Sequence, residues 1–201
     1  MLPTPYSDAP RLPEGEVLDP RSILGTSGPI ELEIGPGRGW FMIDRLQAFP
    51  DVFMLGLEVR RKWASIVDAR LGQRGLSGRG RVFAEDARVA LPRLVTGSIR
   101  AVFVHFPDPW WKRRHQKRTV LTRAVIEELS RLLQPGGELF LQTDVMDRAV
   151  RYAELIGGNA AFAPVGKTAR VAENPFGVRS PRERRVLADG LPVARLHFRR
   201  L

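Results

Sequence analysis

The sequence contains no cysteine, so disulfide bonds and thiolate metal sites are excluded. No apolar run approaches the roughly 20 residues that a membrane-spanning helix needs. The amino terminus lacks the charged-then-apolar pattern of a secretory signal peptide, so we expect a cytoplasmic protein. Histidine is also scarce, and His105, His115 and His197 are too scattered to suggest a metal site.

Lysine and acidic residues are few beside arginine. Of the 32 basic residues only four are lysines, and 22 acidic residues leave a net charge of +10. Such a charge predicts a partner rich in phosphate or an acidic membrane surface. Because arginine binds phosphate bidentately and stacks on bases, its excess favours a nucleic acid. A GC-rich genome, which raises arginine everywhere, is the alternative explanation.

The chain of 201 residues has the length of one α/β domain. Residues 1–28 are rich in proline and acids and lack a period, so we interpret them as an N-terminal arm before a domain at 29–201. Helical and strand patterns alternate after residue 29, with five strands at 29–34, 52–57, 81–85, 101–106 and 138–143. Helices are predicted at 40–46, 60–73, 88–95, 119–133 and 145–156. Two further strands follow within 162–171 and 193–198, joined by a polar loop, the last strand being antiparallel. This order predicts a doubly wound, mostly parallel seven-stranded sheet of the Rossmann-like α/β class.

A glycine turn, Gly35-Pro36-Gly37-Arg38-Gly39, connects the first strand to the first helix of this domain. Strand, glycine turn and helix form the first half of a nucleotide-binding unit, although many such turns bind nothing. The tight G-x-G-x-G spacing fits a ligand without a pyrophosphate. Glu58 lies 19 residues past Gly39, near the spacing at which an acid binds ribose hydroxyls. A surface glutamate at a strand end is the alternative.

Acidic residues occur at the ends of five predicted strands: Glu33, Glu58, Asp86, Asp108 and Asp144. Ligands of such sheets bind beyond the carboxyl ends of the strands, so these acids are expected to share one site. Asp86 could bond an adenine amine, cap the next helix, or do both. A ribose diol, an adenine amine and a positive centre suit this set, and S-adenosylmethionine has all three. The two phosphates of NAD would be repelled.

The most specific stretch of the sequence is residues 106–118, which contain Asp108 between two prolines, Trp110, Trp111 and a dense basic run. Pro107 and Pro109 fix the backbone and place Asp108 on a stiff turn. Basic residues beside aromatic rings suit phosphates and bases. A strand-ending turn followed by a solvated charge run is the alternative.

These motifs together resemble the tRNA (guanine-N7)-methyltransferase family, whose members are class I S-adenosylmethionine-dependent enzymes. The resemblance rests on residues 32–39, 56–59, 86–87, 106–118 and 143–144, in family order and spacing. It implies methyl transfer to N7 of a guanine in the tRNA variable loop. The cofactor S-adenosylmethionine would be bound by Glu33, Gly35, Gly37, Glu58, Asp86 and Asp108.

The resemblance also implies where tRNA binds. The substrate-binding residues would be Lys112, Asp144 and the segment Ser180, Pro181, Arg182 and Glu183. The family usually has threonine at the first position of that segment and often an aromatic residue at the third, so this chain departs at Ser180 and Arg182. Phosphates would be held by Arg113, Arg114, Lys117 and Arg118. Because guanine N7 carries a free lone pair, Asp108 is assigned the catalytic role of favouring the cationic product.

Two other functions compete with this interpretation. One is a methyltransferase acting on another nitrogen, such as an exocyclic amine of a nucleic acid; the other is an RNA-binding paralogue without catalysis, which the altered segment at 180–183 suggests. A nicotinamide oxidoreductase is disfavoured by the glycine spacing and the acids. We expect a monomer or homodimer, without metal.

Overall fold

The computed structural model describes residues 6–107 and 119–201, and in these ranges seven strands form one central sheet. The strands are β1 (Ile30–Ile34), β2 (Phe53–Leu57), β3 (Gly80–Phe83), β4 (Ile99–His105), β5 (Leu133–Thr143), β6 (Phe162–Pro164) and β7 (Ala194–Arg200). Their order is β3-β2-β1-β4-β5-β7-β6. The first five are parallel, and β7 lies antiparallel between β5 and β6. The predicted fold class is confirmed.

Seven helices and a 3-10 turn connect or cover these strands in the described part of the chain. They are α1 (Pro20–Leu24), α2 (Trp40–Ala48), α3 (Arg61–Gln73), α4 (Ala87–Ala90), η1 (Leu91–Arg93), α5 (Arg123–Leu132), α6 (Met146–Gly157) and α7 (Pro181–Ala188). Helices α2 and α3 bury their apolar sides on one face of the sheet, and α4, α5 and α6 do so on the other. None of these helices is long and apolar enough to cross a membrane.

Four elements differ most from the boundaries that the sequence predicts. Helix α5 begins at Arg123, not near 119, because the Thr122 hydroxyl accepts a hydrogen bond from the Val125 N–H at 3.3 Å and caps it. The predicted helix at 88–95 begins at Ala87, capped by Asp86, and gives way to η1. Residues 134–137 belong to β5, where its register with β4 shifts, and the predicted strand at 162–171 is only three residues long.

The loop predicted between the last two strands contains a helix, α7. Its start has a clear local cause: the Ser180 hydroxyl accepts a hydrogen bond from the backbone N–H of Glu183 at 3.2 Å. Pro181 occupies the first helical turn, where its missing N–H costs nothing. These residues therefore shape a helix N-terminus beside the candidate site.

The two faces of strand β1 are both buried but carry different types of side chain. Ile30, Leu32 and Ile34 are buried and pack on the α5 side of the sheet, in a hydrophobic cluster that includes Val125 and Leu129 of α5. Glu31 and Glu33 alternate with them and are buried on the α2 side. A strand with carboxylates on one buried face needs partners for them there, because an isolated buried charge is costly.

The segment before β1 packs on the domain. Leu12, Leu18 and Leu24 join the hydrophobic cluster beneath α5, and the backbone N–H of Ala84 donates to the Pro10 carbonyl at 2.7 Å. Arg11 pairs with the buried carboxylate of Glu85 at 2.8 Å. Residues 9–24 thus contribute to the core, while the division into an arm at 1–28 and a domain at 29–201 stays a prediction.

Candidate active site

A cavity of about 580 Å³ opens at the carboxyl ends of β1, β2, β3 and β4. Its volume is in the range of small-molecule sites. Three predicted cofactor-binding residues, Gly35, Glu58 and Asp86, line it together. His105 and Tyr152 complete the wall from β4 and α6. The fold therefore brings together residues that are far apart in the chain, such as Gly35 and Tyr152, which are separated by 117 positions.

The glycine turn is held by the carboxylate at the end of β2. Oε2 of Glu58 accepts a hydrogen bond from the Gly37 N–H at 2.9 Å, and Oε1 accepts from the Arg60 N–H at 3.0 Å. Glu58 is buried, whereas the Arg60 side chain is mostly exposed. Oε1 also accepts from Nε of Arg60 at 3.1 Å, whereas Oε2 has one hydrogen bond and can accept a second, so Glu58 can hold the turn and also receive a ligand hydroxyl at Oε2.

Glycine is required at this turn for two reasons. Gly35 and Gly39 have φ of 72° and 74°, in the left-handed region that other residues rarely adopt. A side chain at Gly39 would place its Cβ 2.2 Å from the Val67 Cγ1, so α3 packs directly on the turn. At Gly35 no atom lies within 4 Å of such a Cβ, which leaves the backbone open to a ligand.

Asp86 caps α4 and pairs with an arginine two residues later. Its Oδ1 accepts a hydrogen bond from the Arg88 N–H at 3.0 Å, and its Oδ2 lies 2.5 Å from the Arg88 guanidinium. The hydrogen bond from the Arg88 side chain lowers the pKa of the Asp86 carboxyl below its ordinary value. The helix-capping alternative is confirmed. A contact with adenine stays a prediction.

Glu33 is buried beside His105, to which the sequence pattern assigns no role in the site. Its Oε1 atom lies 3.1 Å from Nδ1 of His105, whose ring packs against Phe41 with centroids 4.2 Å apart. Among the described residues, Oε2 of Glu33 and Nε2 of His105 have no hydrogen-bond partner, and neither has the amide of Gln142, which pairs with His105 across β4 and β5. Buried polar atoms rarely stay unpaired, so this row can accept and donate bonds to a ligand.

Asp144 and Arg182, two predicted substrate-binding residues, are brought together. Nη2 of Arg182 lies 2.7 Å from Oδ2 of Asp144, and the Arg182 guanidinium sits 5.6 Å from the centre of the Phe106 ring. Phe106 has φ of 49°, an uncommon conformation for this residue type, and its N–H donates to the Gln142 carbonyl at 2.7 Å. Strained backbone of this kind is frequent at functional sites.

Glu183, from the same predicted segment, is fully buried and its carboxylate is occupied. Oε1 accepts from Nε of Arg195 at 2.8 Å, and Oε2 accepts from Nδ2 of Asn174 at 3.0 Å. Ser180 and Pro181 begin α7, as described above. The contacts of Glu183 favour a supporting role, in which it fixes α7 to β7 and presents Arg182, and direct contact with substrate stays a prediction.

The remaining predicted residues lie outside the described ranges: Asp108, Lys112, Arg113, Arg114, Lys117 and Arg118. Their roles stay predictions. Phe106, Pro107 and Val120, which flank this stretch, line the cavity. Within residues 6–107 and 119–201, no group of three or more histidine or acidic side chains could hold a metal ion.

The strand order and the cavity define the class I methyltransferase fold, and solved structures agree. A 16S rRNA methyltransferase, KamB, superposes with a TM-score of 0.65 at 14% identity, covering 96% of this chain and 98% of that one. The aminoglycoside resistance methyltransferase NpmB1 gives a TM-score of 0.56 at 18% identity, covering 90% and 91%. At these identities the likeness shows the fold.

Sequence relatives are more specific. The family model described as "Putative methyltransferase" matches residues 27–196. A tRNA (guanine-N(7)-)-methyltransferase of Anaeromyxobacter dehalogenans (strain 2CP-C) is 45% identical over 186 residues, covering 90% of each chain. The enzyme of the same name from Myxococcus xanthus (strain DK1622) is 40% identical, covering 86% of this chain and 84% of its own. The chain belongs to the tRNA (guanine-N7)-methyltransferase family, and the predicted resemblance is confirmed.

Proposed function

We propose that this protein transfers the methyl group of S-adenosylmethionine to N7 of a guanine in the tRNA variable loop, which forms 7-methylguanosine. The observation that carries the proposal is the cavity where Gly35, Glu58 and Asp86 meet, in a chain that is 45% identical to an enzyme of this name over 90% of both lengths. The net charge of +10 suits a tRNA partner.

The residues at the cavity fit S-adenosylmethionine, which supplies an electrophilic methyl group when bound. Glu33 does not line the cavity itself but contacts His105, which does, and its buried Oε2 has no partner among the described residues and is suited to a cationic amino group. Glu58 is suited to the ribose hydroxyls and Asp86 to the adenine amine. Gly35 leaves its backbone open to close approach. A cavity of about 580 Å³ has room for such a ligand.

The chain's residues would act mainly by placement. Guanine N7 has a free lone pair, so no proton has to be removed before attack. Holding the base in line can contribute several kcal/mol. Asp108 would favour the positive charge that the purine gains. Asp144 would accept hydrogen bonds from the Watson–Crick edge of the guanine, with Arg182 fixing the orientation of the Asp144 carboxylate.

The proposal also covers the remaining tRNA contacts, the cellular location and the oligomeric state. Lys112 would contact the substrate, and Arg113, Arg114, Lys117 and Arg118 would hold tRNA phosphates. Neutralising phosphates releases counterions, so tRNA affinity should fall steeply with salt. A cytoplasmic location, a monomeric or homodimeric state, and an arm at residues 1–28 before the catalytic domain are further parts of this proposal.

The function is tested by incubating the protein with an unmodified tRNA transcript and labelled S-adenosylmethionine. We expect one methylated guanine in the variable loop, which alkali and aniline convert into a strand break. A transcript carrying 7-deazaguanine at that position lacks the acceptor atom and is the matched control. Label on an exocyclic nitrogen would support another nucleic-acid methyltransferase. Binding of tRNA without transfer would support a paralogue without catalysis.

A further inference from the structure

Two tryptophans on α2 and α3 lie beneath cationic side chains. The Arg70 and Arg74 guanidinium carbons are 5.2 Å and 5.4 Å from the centre of the Trp40 ring. Trp63 is surrounded in the same way by Arg38 and Lys62. We call these two groups together the tryptophan–arginine surface, which consists of Arg38, Trp40, Lys62, Trp63, Arg70 and Arg74. Arg38 lies 5.2 Å from the Trp63 ring, and the Lys62 Nζ lies 5.9 Å from it. Both indoles are partly exposed.

The four cations of this surface have no carboxylate partner among the residues that the structure describes. The acids nearest in sequence are engaged elsewhere, because Asp68 pairs with Arg81 at 2.9 Å, Glu58 with Arg60 at 3.1 Å and Asp44 with Arg184 at 3.1 Å. Arg70 and Arg74 are one helical turn apart over one ring, and like charges at that spacing destabilise a helix. Such an arrangement is complementary to a polyanion.

The surface is continuous with the cavity through the glycine turn. Arg38 belongs to that turn, between Gly37 and Gly39, and its carbonyl accepts a hydrogen bond from Nη1 of Arg70 at 3.1 Å. Helix α3 begins at Arg61, next to Arg60 of the cavity lining, and its 13 residues extend about 20 Å. A polymer whose target base enters the cavity would therefore have its neighbouring nucleotides within reach of α3.

We propose that the tryptophan–arginine surface is a docking site for tRNA, where it binds backbone phosphates and stacks unpaired bases flanking the methylated guanine. The inference rests on the proposed function. Guanidinium groups over indoles offer both requirements of single-stranded RNA: planar faces for stacking and N–H groups for phosphate. Stacking on aromatic rings is tolerant of sequence, so the site sets affinity and position, not base identity.

The test measures tRNA affinity by fluorescence anisotropy, with S-adenosylhomocysteine present, over a salt series. Lys62→Glu is compared with Lys167→Glu, which makes the same charge change at the opposite edge of the sheet. We expect Lys62→Glu and Arg74→Glu each to raise the Kd for tRNA by about fivefold and to reduce the salt slope by about one. Lys167→Glu should match the wild type.

A second pair of variants, at Trp63, distinguishes loss of base stacking from loss of charge and from loss of folding. Trp63→Leu should weaken tRNA binding while Trp63→Phe retains most of it, and affinity for S-adenosylhomocysteine, measured by calorimetry, should be kept in both. Arg74→Gln serves if Arg74→Glu does not fold. An unchanged Kd for tRNA in Lys62→Glu and Arg74→Gln overturns the proposal. The surface would then be better explained as a binding site for an acidic protein. Because wild-type methylation of guanine N7 is measured separately, that outcome does not touch the proposed function.

Discussion

Nδ1 of His105 lies 3.1 Å from Oε1 of Glu33, and both side chains are buried at the carboxyl edge of the sheet. The second oxygen of Glu33 and the second nitrogen of His105 have no partner among the described residues. The histidine thus fixes one side of the carboxylate and leaves the other available. A carboxylate oriented in advance loses less entropy when it binds a cationic ligand.

Glu33→Gln should weaken S-adenosylmethionine binding roughly ten- to a hundredfold, because a hydrogen bond to a charged group contributes about 1.5–3 kcal/mol. Glutamine keeps the shape of the side chain and can still contact His105. Calorimetric titration gives the affinity, and Glu127→Gln, an exposed change on α5, is the control. Wild-type affinity in Glu33→Gln would remove this carboxylate from the cofactor site.

Asp108→Ala should reduce turnover about a hundredfold, since removing one group that stabilises developing charge has an effect of this size. The tRNA affinity should change far less, because phosphate contacts elsewhere supply most of it. Single-turnover methylation with saturating enzyme separates the two quantities. Unchanged turnover would exclude Asp108 from the mechanism.

Glu183→Gln should lower the free energy of unfolding by about 3 kcal/mol, because it leaves the buried guanidinium of Arg195 without a counter-charge. Urea denaturation measures this change, and Glu173→Gln, at an exposed glutamate, should leave stability unchanged. A stable Glu183→Gln protein that fails to bind tRNA would instead support the direct substrate contact that the family resemblance implies.

The stability contributed by Glu138 should depend on pH. The imidazole of His197, with Nε2 3.3 Å from Oε1 of Glu138, lowers the pKa of this carboxyl from its ordinary value of 4.5, assisted by Arg199 and Arg100. A carboxyl whose pKa is lower in the folded chain stabilises the fold above its unfolded pKa, and this contribution disappears as pH falls through the folded value.

The comparison of wild type with Glu138→Gln isolates this carboxyl, because the other titrating groups are common to both proteins. We expect the wild type to be the more stable at pH 7, with a difference that shrinks as pH falls below 4.5. Urea unfolding between pH 7 and pH 3 measures the difference. A difference that is constant over this range would contradict the assignment.

The fold class, and the meeting of Glu58 and Asp86 at the cavity, could be predicted from sequence because they depend on local patterns. The apolar strands, the glycine turn and acids at strand ends have fixed spacings, and parallel strands bring their carboxyl ends to one edge. The start of α7 also had a signal: serine, proline and glutamate at 180, 181 and 183 have the pattern of a helix N-terminus.

The row of Glu33, His105 and Gln142 could not be predicted in the same way. Its members belong to three strands, and only the register that pairs His105 with Gln142 places them together. The burial of Glu183 is likewise a tertiary property, since Arg195 and Asn174 approach it from β7 and from the loop after β6. The family pattern assigns Glu183 to substrate binding, whereas the structure shows that its carboxylate is paired with Arg195 and Asn174.

The bare α-carbon of Gly39 has a mechanical consequence. Because the methyl groups of Val67 fill the space that a side chain would need there, α3 and the glycine turn cannot slide past each other. If tRNA docks on α3 as proposed, a force that it applies along α3 would be transmitted to the glycine turn that borders the cavity. Binding of the polymer and placement of the methyl donor would then be coupled through this close packing and through the hydrogen bond from Arg70 to the Arg38 carbonyl.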